Sequence, residues 1–472
     1  MYFDYAATTP LKKDVKDYII SLLDIFQNPS SMYQSGINAK QIISIARNNV
    51  AKFINSKPTN IIFTSGGSAS NTLGIKGYVQ KHNCTVLYQP TCHKSILKCV
   101  SNIKKAYPLK VNSEGFLDLK DLKEWLDTKD KFFVVCEMAN SEIGTIQNVK
   151  EIIDLCHFYN AKVYIDCTGS IPTIPVDVQS LDCDIVGFSA HKLGALKGTG
   201  VLYKKSNIEL EPLIYGSQEQ GLFGGTENII GIAALGKAVE NYDYSSINSN
   251  ARDRVLDYIL RNILDSYLIG DISNRLPHNL YVCFKNVQGE SLMILLDMND
   301  IQVSTGSACT SGDLTPSTTL TAIGMDEDDM NNCIRITFSG NETNEELDNF
   351  CEILNKNVSL LRSLKQGGKA MKKLNLKGLT PSSITTVIVL LIALINAILQ
   401  IFGINTIPIT NDEVSEIVSI VFLIVTSLYS TYKNFNVTPA SQVAQNVTDA
   451  IKNGEIVVED IEELLGRIKE SR

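Results

Sequence analysis

The feature that most restricts the fold is a series of short apolar runs, each closing on a polar or glycine-rich turn. They occupy residues 60–64, 86–88, 132–136, 162–166 and 184–188. Runs this short, bounded by turn residues, suit strands better than helices. Stretches 11–26, 37–54 and 229–239 instead carry apolar residues at helical spacing. Strands alternating with helices predict an α/β protein with a mainly parallel sheet. Such sheets gather ligands beyond the carboxyl ends of their strands, so the residues at the exits are the candidates for function.

Run 60–64 leads at once into Ser65-Gly66-Gly67-Ser68-Ala69-Ser70-Asn71 and then a helix. Strand, small-residue turn and helix N-terminus together make a phosphate cradle, although most glycine-rich turns are only turns. The next two exits bring His93 and the stretch Asn140-Ser141-Glu142-Ile143-Gly144. Run 162–166 ends on Asp166, and run 184–188 is followed by Ser189-Ala190-His191-Lys192. If those two strands are neighbours, Asp166 and Lys192 face one crevice. Two readings stay open for the pair. One is a structural ion pair at a sheet edge; the other is pyridoxal phosphate catalysis, which needs an amine to bind the cofactor and a carboxylate to keep its ring nitrogen protonated.

From about residue 245 the pattern shifts to a long helix, strands and a closing helix, as in a second, smaller domain. There Cys309 stands among Gly306, Ser307, Thr310, Ser311 and Gly312. A structural cysteine prefers apolar neighbours, so this one reads as an accessible thiol on a flexible loop. Ile334-Arg335-Ile336-Thr337-Phe338 alternates, which sets Arg335 opposite the apolar face and able to fork onto a carboxylate; a solvated arginine is the commoner case.

A net charge of −8 without any useful basic cluster argues against direct nucleic-acid binding. The eleven cysteines are odd in number and lack a CxxC pair, so neither a disulfide framework nor a metal site is expected. The N-terminal residues do not read as a secretory signal, which points to a cytoplasmic, reduced enzyme.

Taken together, the motifs from Asp4-Tyr5-Ala6-Ala7-Thr8-Thr9-Pro10 through Ser189-Ala190-His191-Lys192 to Ser307-Ala308-Cys309-Thr310-Ser311 resemble the cysteine desulfurases. These are fold-type I pyridoxal phosphate enzymes of the class V aminotransferase-like family. The likeness spans about residues 1–365. It implies a large cofactor domain over 1–244, whose first ~12 residues could pack on the small domain, and a small α+β domain over 245–366 with the cysteine loop. Lys192 would hold pyridoxal 5'-phosphate as a Schiff base, Asp166 would pair with the ring nitrogen and His93 would stack on the ring. Gly67, Ser68, Ser189 and His191 would bind the phosphate, joined by Thr226 from the second subunit of a homodimer. Arg335 would take the carboxylate of L-cysteine, and Cys309 would accept its sulfur as a persulfide for an acceptor protein in iron–sulfur or tRNA-thiolation pathways.

The chain departs from the family at Ser141, usually asparagine, and Gly169, usually glutamine, both of which support the cofactor's ring hydroxyl. Ala69 replaces a usual glutamate, and Gln220 and Phe223 replace usual arginines. Alternatives are another fold-type I activity, such as a selenocysteine lyase or an aminotransferase, and a membrane-lesion protein carrying a weakened desulfurase.

All cysteines and histidines lie before residue 352. After a linker at 367–383, residues 384–402 are apolar but for Thr385, Thr386, Asn396 and Gln400, about the ~20 residues needed to span ~30 Å of hydrocarbon. A second apolar run covers 417–432. The basic residues Lys372, Lys373, Lys377 and Lys433 outside the pair, with acids between, predict a two-helix transmembrane hairpin over 384–432 with both ends cytoplasmic. The stretch 380–447 resembles a two-span phage holin, and 433–472 reads as an amphipathic helical tail. The enzyme would then be tethered to the cytoplasmic face of the cell membrane. Two neighbouring genes read as one chain is a further alternative.

Overall fold

The computed structural model describes residues 1–305 and 317–371. Cys309 and the apolar runs of the expected hairpin lie outside the described residues. The expected strands form, with two more the runs did not announce. In chain order they are β1 Ile61–Thr64, β2 Thr85–Tyr88, β3 Ala106–Pro108, β4 Phe132–Glu137, β5 Lys162–Asp166, β6 Ile185–Ser189 and β7 Gly200–Lys204. They make one sheet in the order β1-β7-β6-β5-β4-β2-β3. Strands β6, β5, β4, β2 and β3 run parallel, whereas β7 is antiparallel to both β1 and β6.

Every residue of β1, β4 and β6 is buried, because helices cover both faces. On one face pack α1 Lys13–Leu22, α2 Gln34–Phe53, and further on α5 Leu119–Leu126, α6 Val149–Phe158 and α7 Ile229–Glu240. The other face carries α3 Gly67–His82 and α4 Lys94–Val100. The helical spacing predicted a first helix over 11–26, but α1 stops at Leu22. Leu23 and Phe26 beyond it are 64% and 87% exposed and only Ile25 still packs on the core, so little burial supports further turns.

A second, antiparallel sheet of order β10-β9-β8 is built from β8 Ser266–Leu268, β9 Asn279–Phe284 and β10 Cys333–Thr337. Around it lie α8 Asn250–Asn262, α9 Gly289–Asp297, the short α10 Thr318–Ala322 and α11 Glu327–Met330, and α12 Asn344–Met371. The chain's first residues join this layer: Asp4 bridges to Thr337, and Phe3 packs on Phe338 and Phe350 at ring-centroid distances of 5.4 and 4.8 Å. The alternation in β10 places Ile334 and Ile336 in the core as expected, yet the opposite face is covered too and Arg335 is buried.

Candidate active site

Parallel register aligns the strand exits. Glu137 pairs with Asp166, and Asp166 with Gly187, so β4, β5 and β6 end side by side. Beyond them lies a cavity of about 210 Å³ lined by Gly67, Ser68, His93, Ser141, Asp166, Ser189, His191 and Lys192, all of them candidates read from the sequence.

Lys192 closes a single helical turn after β6. Its Nζ donates to the carbonyls of Ala6 and Ala7, the latter at 2.8 Å. Burial, then the neighbouring Arg335, pull its pKa down to about 7, against the opposing pull of Asp4 and Asp166. The amine is therefore close to half neutral near pH 7, as a nucleophile or base requires.

Asp166 is held on both oxygens, by the Asn71 amide at 2.9 Å and the Thr168 N–H at 2.8 Å. Asn71 is itself fixed, accepting from the Tyr164 hydroxyl at 2.5 Å and donating to Ser95 Oγ at 2.9 Å. Ser95 lies 2.8 Å from His93 Nδ1, which also accepts the Ser95 N–H and so caps α4. Burial pushes the His93 pKa down. With Nδ1 accepting, the neutral ring carries its proton on Nε2. His191 is lowered to about 4 by burial and then by Lys192 and Lys197, with Nδ1 3.0 Å from Thr8 Oγ1.

Arg335 reaches the same region from the second sheet. Its Nη2 meets Asp4 Oδ1 at 2.8 Å, its Nη1 donates to the Ser141 carbonyl at 3.2 Å, and its buried Nε has no partner. Thr226 is exposed and does not line the cavity within this chain. Ten cysteines fall among the described residues; none is exposed and none lines the cavity.

Sequence reasoning passed over Asn71, Ser95, Thr168 and Glu137, which also line the cavity. Asn71 had a signal, since it lies one helical turn after Gly67 and faces the same way. Glu137 had one too, as a carboxyl closing an otherwise apolar strand.

A mainly parallel sheet whose exits hold a half-buried lysine, a clamped aspartate and a glycine-rich turn at the start of α3 defines, with the comparisons, a fold-type I pyridoxal phosphate enzyme. The aminotransferase class-V profile matches residues 1–350, and the chain belongs to that family, among its cysteine desulfurases. It is 37% identical over 395 residues to the cysteine desulfurase IscS of Dictyoglomus turgidum, covering 79% of this chain and 99% of that protein. The corresponding enzyme of Clostridium botulinum is 35% identical over 380 residues, covering 77% and 96%. Among solved structures, a NifS-like protein superposes with a TM-score of 0.71 at 30% identity, over 76% of this chain and 99% of its own. The complex of SspA with cysteine does so at 0.64 and 29%, over 72% and 99%. Residues 378–450 match the SPP1 phage holin profile. Among the described residues no helix is long and apolar enough to cross a membrane.

Proposed function

We propose that this chain removes sulfur from L-cysteine, releasing L-alanine and leaving a persulfide on Cys309 for transfer to an acceptor. The observation that carries the reading is the half-buried Lys192 amine, drawn down to about 7, in one cavity with the clamped Asp166 and beside Arg335. The residues fit pyridoxal phosphate. Thr168 Oγ1 is buried without a partner beside Gly67, 3.4 Å from where a Cβ there would be, so the turn carries an unused hydroxyl that an anion could satisfy. Gly67, Ser68, Ser189 and His191 would hold the phosphate, with Thr226 supplied by the second subunit of a homodimer. Asp166 would face the ring nitrogen, and His93 the ring. Bound there, the cofactor supplies an electron sink.

The chain's own groups do the rest. Arg335 offers its unpartnered Nε, together with an Nη now engaged by Asp4, to the substrate carboxylate. Lys192 takes the α proton. Cys309 attacks the substrate sulfur: an S–S bond forms, the Cβ–S bond breaks, and its electron pair with a proton completes the methyl of alanine. Thiol plus cysteine thus gives persulfide plus alanine, with no external oxidant. None of the ten described cysteines is positioned for this, which supports Cys309. The acceptor is proposed to be an iron–sulfur scaffold or a thiolation factor, and the holin-like segment to tether the enzyme to the cytoplasmic membrane face.

A second reading, a membrane-lesion protein with a weakened desulfurase, is favoured by the departures at Ser141 and Gly169. A Cβ at 169 would press on the Ala139 carbonyl at 3.1 Å and on Ser141 Cβ at 3.2 Å, so the glycine is built into the turn. Alanine and persulfide from L-cysteine, assayed with the full chain, separate the two. Lys192→Ala and Cys309→Ser are each expected to lose at least about 100-fold. Alanine release by Cys309→Ser at the wild-type rate would sink the thiol assignment, and an inactive, colourless wild type would sink the desulfurase reading.

A further inference from the structure

In the second sheet, strand register sets two cysteines face to face. Cys283 of β9 is paired with Cys333 of β10, the one such cysteine pair among the described residues. The Phe284 N–H donates to the Asn332 carbonyl at 2.9 Å, which makes the adjoining rung a hydrogen-bonded one. Rungs alternate along an antiparallel ladder, so the cysteines occupy a non-hydrogen-bonded rung, where Cα atoms stand about 4.5 Å apart and side chains come closest. A disulfide needs about 4.4–6.8 Å between Cα atoms, so the ladder holds this pair at bonding range.

The two sulfurs also share a partner. Cys333 Sγ donates to the Asp329 carbonyl at 3.2 Å, and Cys283 Sγ lies 3.7 Å from the same oxygen. Both thiols are buried, but the side chains beside them reach water: Tyr267 and Asp329 are half-buried, and Lys285 is 51% exposed. The Tyr267 hydroxyl donates to Asp329 Oδ2 at 2.8 Å, and Lys285 Nζ lies 3.7 Å from that oxygen. Cys333 first, then Tyr267 and Lys285, draw the Cys283 pKa down against burial and Asp329, while Cys333 is pushed up by Cys283 and by burial. One thiol is thus biased toward the thiolate and its neighbour keeps its proton, the division that thiol oxidation uses.

We propose that Cys283 and Cys333 form a redox modification site, a cross-strand dithiol that a hydroperoxide converts into a disulfide, locking β9 to β10. With hydrogen peroxide, the Cys283 sulfur attacks one oxygen: an S–O bond forms, the O–O bond breaks, and the departing hydroxide takes up the thiol proton as water. The Cys333 sulfur then attacks the Cys283 sulfur, forming the S–S bond, breaking the S–O bond and releasing a second water. Two thiols are oxidised and one peroxide is reduced. Strand alternation puts Tyr281 and Arg335 on the same face, two residues or about 7 Å along, so the bond clamps the rung next to the arginine proposed for substrate. The site stands whether or not the chain is a desulfurase.

The test uses the full chain carrying Cys309→Ser, so that the thiol proposed for sulfur transfer takes no part, treated with hydrogen peroxide. Free thiols are blocked with iodoacetamide in urea, and the chain is digested without reductant for mass spectrometry. The expected result is one peptide pair joined through Cys283 and Cys333, two hydrogens lighter than its parts and separated by dithiothreitol. The oxidised chain should melt about 3 °C or more above the reduced one, and the same chain with Cys283→Ala, which cannot form the bond, should show no such rise. Recovery of both cysteines as alkylated thiols, at a peroxide concentration that fully oxidises free cysteine in the same buffer, overturns the site. A bridge from either one to a different cysteine does the same. A Cys283–Cys333 bridge without a rise in melting midpoint overturns the lock. If Cys283→Ala fails to fold, the reduced and oxidised forms of its parent decide, since they share one sequence.

Discussion

Two neighbouring groups in the cavity carry opposite burdens. Lys192 binds its proton less tightly in the folded chain, at about 7 against an ordinary 10.5, because burial and Arg335 disfavour the charge. Between those values the unfolded chain holds more protons, so this group makes stability rise with pH from about 7 to about 10.5. Glu137 is the reverse: burial, with Asp166 adding repulsion, pushes it up to about 8 from 4.5. Here the folded chain holds more protons, and stability falls as pH rises from about 4.5 to about 8. Melting curves of the cofactor-free protein should show both slopes by difference. Lys192→Met removes the upper rise and Glu137→Gln the lower fall, each at most about 1.4 kcal/mol per pH unit. A difference curve that is flat across its window would show that the group is not held as described. Of these two residues, Lys192 was legible because a polar residue after an apolar run stands out. The burial of Glu137 was not, since beside the local Asn140, 2.8 Å from its Oε1, it depends on Thr91, brought to 3.1 Å from 46 positions away.

Among the elements, β5 and β6 show how a strand's interior reaches the chemistry at its end. A Cβ at Gly187 would stand 2.0 Å from the Tyr164 hydroxyl, the group that steers Asn71 and through it Asp166. Gly187→Ala is expected to cost about 1–3 kcal/mol by overpacking and to weaken cofactor binding, read as a lower melting midpoint and a raised dissociation constant. A lower midpoint with unchanged cofactor affinity would break the link from Tyr164 to Asp166. The central strands were legible from their apolar runs because burial on both faces leaves no polar alternation. Strands β3 and β7 were not. The first is a partly exposed edge of three residues ending at Pro108; the second, Gly200–Lys204, holds the apolar run Val201-Leu202-Tyr203, but its antiparallel place between β1 and β6 is set by pairings that no local run reports. Periodicity likewise overran α1, since apolar spacing continues to Phe26 although, of residues 23–26, only Ile25 packs on the core.

At the scale of the whole molecule, the sequence divides into an enzyme and an apolar C-terminal part, and the family profiles divide at the same place, 1–350 and 378–450. If the second part anchors the first, the full chain should sediment with membranes and stay there in high salt. A truncation ending at Gly368, where the first compact unit ends, should be released. Equal release of both would remove the tether. The order of the two parts and most of the site residues were legible because motifs are local. The contacts of Arg335 with Asp4 and Ser141 join residues 331 and 194 positions apart, and no local pattern reports those.

The seclusion of the ten described cysteines has a chemical consequence. Sulfane sulfur hops readily between thiols, and a protein that generates it risks loading its own interior. Here burial raises the pKa of Cys92, Cys136 and Cys167 next to the site, suppressing the thiolate such exchange requires. A sulfur released in the cavity therefore meets, in these three cysteines beside it, thiols kept from the form that would take it up.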